Sequence, residues 1–211
     1  MDPPSGGPIA GPLISDVAVA TVNGDADSPN ENDLFQIIRQ AGDNSLVDIY
    51  RNGVLFDTYS LGTLQQININ GLGGNDTLTV DSTNGLIAIP IGIKYDGGTG
   101  FDALRLSQAG GALQTSDTYA PGPVIGTGTS MIVGASGTQS VSFNNLEPVI
   151  DTVSAASLTV NGTNENNAIN YALGPNSGTD TVDGATSGIV TVDNQESIEF
   201  ANKTTLIING L

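Results

Sequence analysis

The chain has 211 residues, 38% of them apolar, which is enough to fill one large core or two small ones. Five cationic side chains (Arg39, Arg51, Lys94, Arg105, Lys203) face 22 Asp and Glu, for a formal charge of −17, so nucleic acid and anionic lipid are argued against as partners. Cys and His are both absent, which removes thiolate and imidazole metal sites, Cys nucleophiles and Ser-His-Asp chemistry, and leaves carboxylates suited to hard cations.

In chain order, residues 1–14 begin Met-Asp-Pro-Pro-Ser-Gly-Gly-Pro and read as a Pro/Gly-rich linker, with neither the basic nor the apolar region of a signal peptide. No apolar run approaches the roughly 20 residues of a membrane span, so no membrane insertion is expected. Short strand signals rich in Val, Ile, Leu and Thr follow at 17–22, 46–50, 54–59, 78–80, 104–106, 131–133, 141–143, 158–160, 189–192 and 206–208. The window 33–40 has apolar residues at 34, 35, 37 and 38 and fits a helix or a strand equally well. Eight Asn-Gly or Asp-Gly steps, at Asn23, Asn52, Asn70, Asn84, Asp96, Asn161, Asp183 and Asn209, are expected to turn the chain through positive φ. Ile49-Tyr50-Arg51-Asn52-Gly53-Val54-Leu55 has the form of a two-residue hairpin.

The sequence repeats itself. Thr21-Val22-Asn23-Gly24 returns as Thr159-Val160-Asn161-Gly162, Asn30-Glu31-Asn32 as Asn164-Glu165-Asn166, and Ile69-Asn70-Gly71-Leu72 as Ile208-Asn209-Gly210-Leu211. The offsets of 138, 134 and 139 define a first unit over 15–156 and the start of a second, truncated one over 157–211, as expected of a segment from a tandem array.

Gly97-Gly98-Thr99-Gly100-Phe101-Asp102-Ala103-Leu104-Arg105 satisfies the nonapeptide G-G-x-G-x-D-x-U-x, U being a large apolar residue. Gly71-Leu72-Gly73-Gly74-Asn75-Asp76-Thr77-Leu78-Thr79 departs from it only at Leu72, and Gly126-Thr127-Gly128-Thr129-Ser130-Met131-Ile132 has Ser130 in place of the Asp. On these residues the chain resembles the haemolysin-type calcium-binding (RTX) repeats and other Gly/Asp-rich β-solenoid repeats of large secreted bacterial proteins. The resemblance implies Ca2+ held between turns, with candidate ligands Gly98, Gly100 and Asp102 in one loop and Gly74 and Asp76 in the other. Contiguous RTX loops recur every 18 residues, whereas Asp76 and Asp102 lie 26 apart and Ser130 a further 28. That spacing suits one rung per repeat of a wider parallel β-helix, with all three residues along one edge.

The expectation is an all-β chain: a parallel β-helix, or solenoid, with at least one protruding β-hairpin, the alternative being tandem β-sandwich modules. Its expected function is that of a non-enzymatic structural or adhesive module, extracellular or at the cell surface, in a larger bacterial surface or fibre protein. Its partners would be neighbouring repeats, a second copy, or surface glycan. A carbohydrate-binding or carbohydrate-active β-helix is the alternative. For that reading the acid pairs Asp180/Asp183 and Glu196/Glu199 are better explained by chance proximity, and Tyr50, Tyr59, Tyr95, Tyr119 and Tyr171 by packing. Thr77, Thr79, Thr179, Thr181 and Thr191 hint only weakly at a flat ice-binding array, and the sequons at Asn75, Asn161 and Asn202 are expected by chance.

Overall fold

The computed structural model describes residues 17–176 and 186–210, so the 1–14 linker and residues Thr179, Asp180, Thr181 and Asp183 lie outside it. The described residues are all-β. One mixed sheet holds, in spatial order, β1 (Ala18–Asn23), β5 (Leu64–Asn70), β7 (Gly92–Asp96), β11 (Gly137–Asn144), β10 (Gly128–Gly134), β9 (Ser116–Pro121), β13 (Ala155–Asn161) and β17 (Lys203–Asn209). The other holds β14 (Ile169–Leu173), β15 (Gly188–Val192), β16 (Ile198–Phe200), β12 (Val149–Asp151), β8 (Ala103–Ser107), β6 (Thr77–Asp81), β2 (Leu34–Arg39), β3 (Leu46–Arg51) and β4 (Val54–Ser60).

The chain crosses from one sheet to the other and back. Strands that meet after a full circuit pair in parallel, as β5 does with β7 and β6 with β8. Three antiparallel meanders, β2-β3-β4, β9-β10-β11 and β14-β15-β16, add strands within a sheet before the chain crosses again. The ambiguous window at 33–40 is therefore strand β2: its apolar residues alternate, with Phe35 and Ile37 buried, and a helix would leave its backbone unable to join the parallel ladder to β6.

Alternation sends one face of each strand between the sheets. In β5, Ile67 and Ile69 are buried while Gln66, Asn68 and Asn70 are partly exposed on the other side, and Leu64 is buried before a shift in register against β1. Register then aligns like with like: Phe35, Leu78, Leu104, Val149 and Ile198 form one apolar column, and Val22, Ile69, Tyr95 and Phe143 form another in the other sheet, all within one core cluster. Burying each such side chain stabilises the fold by roughly 1.5–3 kcal/mol before entropy is counted. Both sheets carry strands from both repeat units.

The hairpin at Asn52-Gly53 is present, joining β3 to β4 with both turn residues at positive φ. The other Asn-Gly and Asp-Gly steps divide. Asn84-Gly85 turns through a positive φ at the glycine. At Asn23, Asn70, Asp96 and Asn161 the step ends a strand of the first sheet, and the following glycine is not at positive φ. Glycine is needed there for close approach, because an added Cβ on Gly24 or Gly71 would lie 2.2 or 2.3 Å from the carbonyl oxygen of Gly71 or Gly97 on the next level. The asparagines themselves cross-link levels: Asn70 Nδ2 donates to Asn23 Oδ1 at 2.7 Å, and Asn209 Nδ2 to Asn161 Oδ1 at 3.0 Å.

Candidate functional site

The two Asp of the nonapeptide loops sit one residue before β6 and β8, and pairing of Thr77 with Ala103 puts them on adjacent levels. The same register continues in both directions, because Leu34 pairs with Thr77, Leu104 with Val149 and Val149 with Ile198. Asp33, Asp76, Asp102, Glu147 and Glu196 therefore occupy equivalent places in one column along an edge of the second sheet. Asp76 Oδ1 accepts the N–H of Asp33 at 2.7 Å, and Asp102 Oδ1 accepts the N–H of Asp76 at 2.7 Å. Glu147 Oε2 accepts the N–H of Asp102 at 3.3 Å. Asp76, Asp102 and Glu147 thus each cap a backbone donor at the start of the neighbouring strand. Asp33 closes the series locally, accepting from the Asp25 N–H and from Asn52 Nδ2, both at 2.8 Å.

Asp33, Asp76 and Asp102 have at most 1% of their surface exposed, and that burial governs their protonation. Asp76 is pushed up to about 6, by desolvation first and then by the charges of Asp102, Asp33 and Asp25, against the Asp33 N–H, which favours the anion. Asp102 is raised by burial and by Glu147 and Asp96. Glu196 is pushed up to about 7 by burial and Glu147. The Tyr95 hydroxyl is raised by burial and then by Asp102 and Asp76, and its oxygen has no hydrogen-bond partner.

The loop glycines follow from the same stacking. Gly74, Gly98 and Gly100 have φ of 106°, 95° and 140°. A Cβ on Gly74 would strike the carbonyl oxygen of Glu31, one on Gly98 that of Leu72, and one on Gly100 that of Gly74. Between these contacts Thr99 N–H donates to Leu72 O and Gly74 N–H to Thr99 O, both at 3.0 Å. Leu72, which stands where the nonapeptide wants its second glycine, takes the same left-handed conformation as Gly98, with φ of 77°. Of the five expected ligands, Asp76 and Asp102 each commit one carboxylate oxygen to a backbone N–H and keep Oδ2 buried without a partner.

Ser130 does not join them. It lies inside β10, buried between Tyr119 of β9 and Val141 of β11. After Asp102 the chain makes the β9-β10-β11 meander before returning to the second sheet, so the next level arrives 45 residues later, at Glu147. Asp33, Glu147 and Glu196 carry no nonapeptide and were not singled out as ligands. A signal existed for Asp33, which directly follows the repeated Asn30-Glu31-Asn32 triplet.

Of the residues weighed for a sugar site, Asp180 and Asp183 lie outside the described residues. Tyr95 and Tyr119 are core residues, whereas Tyr171 is exposed on β14. Glu199 and Glu196 are both buried, and Glu199 accepts from the Ser187 hydroxyl at 2.6 Å. Thr77 and Thr79 stand beside Ala103 and Arg105 on one side and Leu34 and Gln36 on the other, so no threonine array forms around them. Among the described residues, no three acidic side chains converge as a metal site would require. In comparisons with known proteins, no family model, no curated protein and no solved structure matches the chain.

Proposed function

We propose that the chain is a non-catalytic spacer module of a tandem array, coiled as a parallel β-solenoid with meander insertions and serving an extracellular surface or fibre protein. One observation carries this reading: both sheets advance by the same number of strands per repeat unit. From β1 to its repeat β13 the first sheet advances six strands, and from β4 to β16 the second sheet also advances six. A unit built this way can follow itself indefinitely without the two sheets losing step.

The equivalence of the units extends to side chains. In the first unit, Asn52 Oδ1 accepts the Leu34 N–H and the Asn52 N–H donates to Leu34 O. In the second, Asp193 Oδ1 accepts the Ala168 N–H and the Asp193 N–H donates to Ala168 O, with Asn52 and Asp193 both at φ of 51°. What differs is exposure at the outer strands. Ile69 in β5 is fully buried, whereas its counterpart Ile208 in β17 is 42% exposed; Val54, Leu55 and Phe56 on outer strand β4 are exposed, whereas all of β16 is buried against β12. Neighbouring units would cover those apolar positions, which makes adjacent repeats the natural partners.

Small-angle scattering on one, two and three fused 138-residue periods tests the reading. The maximum dimension should grow by about 29 Å per added unit, six strand spacings of about 4.8 Å. Larger, uneven increments with a flexible profile would mean separate beads and would sink the array reading.

Calcium stiffening is a second proposal, favoured by the buried, unpartnered Oδ2 atoms of Asp76 and Asp102. Each loop then has one carboxylate oxygen to spare, and a weak extracellular-type site would fill in the range of about 10⁻⁴–10⁻³ M. Thermal unfolding in EDTA and then across a calcium titration checks it with Asp102→Asn alongside, since asparagine keeps an oxygen for the Asp76 N–H but loses the charge. The midpoint should rise with calcium in the wild type and stay put in the variant. A wild-type midpoint indifferent to millimolar calcium would leave the column as stacking alone.

A further inference from the structure

Two carboxylates interrupt the apolar columns of the core, and both reach the same lysine. Asp117 in β9 lies level with Leu158 of β13, and Asp151 in β12 lies level with Leu106 and Phe200. Lys203, at the start of β17, places Nζ 2.7 Å from Asp117 Oδ2, 2.9 Å from Asp151 Oδ1 and 2.6 Å from the carbonyl oxygen of Val153. The Lys203 side chain is 1% exposed and both carboxylates 0%. Asp117 Oδ1 and Asp151 Oδ2 are buried without an N–H or O–H partner, and the two carboxyls contact each other.

Packing does not demand this trio. The position equivalent to Lys203 in the first unit is Leu64, fully buried in β5. A buried ion pair is commonly replaceable by apolar residues at no loss of stability. What the trio provides is chemistry: an amine at hydrogen-bond distance from a carboxylate, side chains shielded from solvent, and a second acid in contact with both. Burial favours the neutral acid at Asp117, while at Lys203 burial is outweighed by the nearby Asp151 and Asp117 charges, which hold the amine protonated. The reaction therefore needs a base to take its proton, because neutral amine and neutral acid are the forms that react.

We propose that Lys203 and Asp117 condense spontaneously into an intramolecular isopeptide bond, with Asp151 carrying the protons. The Lys203 ammonium gives one proton to the Asp151 carboxylate, while the single carboxyl proton shared by the acids sits on Asp117. The Nζ lone pair attacks Asp117 Cγ, forming the N–C bond. Asp151 then takes a second proton from nitrogen and returns one to the departing hydroxyl, the C–O bond breaks, and water leaves. The product is a neutral secondary amide and a protonated Asp151, with atoms and charge conserved. Its remaining N–H keeps the Val153 carbonyl as acceptor. The oriented, solvent-shielded site supplies the effective concentration that makes such a condensation feasible. Asp117 and Asp151 belong to the first unit and Lys203 to the second, so the bond would rivet the junction between units across 86 residues of chain.

The test is the intact mass of the full chain, expressed and purified folded, with folding confirmed by a cooperative thermal transition. The wild type should be one water lighter than its sequence requires and should migrate faster than the variants on denaturing gels. Lys203→Met, Asp117→Ala and Asp151→Ala should each show the full sequence mass. Peptide mapping must join the peptide containing Lys203 to that containing Asp117. This step matters because cyclisation at Asp96-Gly97 or Asp183-Gly184 also loses water, but joins no peptides. A folded wild type of unaltered mass, a water loss that persists in Lys203→Met, or a cross-link to Asp151 instead would each overturn the proposal.

Discussion

Gly97→Ala is expected to cost about 3 kcal/mol. The new Cβ would lie 2.2 Å from the carbonyl oxygen of Asn145 on the neighbouring level and 2.5 Å from Asp102 Cβ. Neither contact is with the free end of a flexible side chain. Asn145 O is backbone held by the ladder, since the Gly97 N–H donates to Asn144 O at 3.0 Å, and Asp102 is fixed by its bond to the Asp76 N–H. Relief would require separating two levels, which weakens the ladder and the acidic column together. For a chain of this size about 3 kcal/mol corresponds to a fall in melting temperature of roughly 6–12 °C. Gly42→Ala is the control: nothing lies within 4 Å of its Cβ and its φ is ordinary, so it should be neutral or stabilising by up to about 1 kcal/mol. Equal losses in the two variants would show that glycine freedom, and not the close approach of levels, decides stability here.

That result also bears on how far the amino-acid sequence announces the structure. Strands with an apolar stripe and β-branched residues, such as Thr77–Asp81 and Ala155–Asn161, were legible because alternation and propensity agree. Leu64–Asn70 gives a weak strand signal because its outward positions are Gln and Asn, residues poor in strand propensity on their own. They are tolerated because strands on adjacent levels bring Asn68 to Thr21 and Asn70 to Asn23, where the amides bond across the sheet. Ser116–Pro121 was hidden for another reason: its inward position is Asp117, a charge in a core column, and only the fold supplies the distant Lys203. The nonapeptide announced Asp76 and Asp102 as special, and they do lie on adjacent levels. It could not show that each would spend an oxygen on the neighbouring level's backbone, nor that a meander would displace Ser130 and bring in Glu147. Those facts depend on how many residues the chain uses between crossings, which is a property of the β9-β10-β11 meander rather than of any local motif.

Acidification should stabilise this protein, and the midpoint of thermal unfolding should fall as pH rises from about 4 to about 7. The sign follows from the buried carboxyls. Asp76 titrates at about 6 and Glu196 at about 7 when folded, and both return to ordinary carboxylate values on unfolding. A group raised in the folded state contributes stability that is fully present below its unfolded pKa and is lost as pH climbs through its folded one. Each loss therefore runs from the ordinary carboxylate value up to the folded one, and it is steepest between about pH 4.5 and pH 6, where both groups hold a proton only when folded, with a contribution of about 1–2 kcal/mol per group. Asp102, also raised by burial, acts in the same direction. Asp43 and Asp193, exposed and held low by bonds from Ser45 and from Ala168 and Asn167, oppose the trend only below the ordinary carboxylate range. General relief of charge repulsion in a chain of net charge −17 also favours the compact state at low pH, so the local effect must be isolated. Asp76→Asn does this, because the amide oxygen still accepts the Asp33 N–H while the titrating group is gone; Glu196→Gln does the same at the other end of the column. Each variant should flatten the decline across about pH 4.5–6, and the pair should flatten it more. A wild-type midpoint that holds steady or rises across that interval would mean these acids are solvated in solution, and that the levels do not stack as tightly at this edge as the bonds from Asp33 to Asp76 and from Asp76 to Asp102 require.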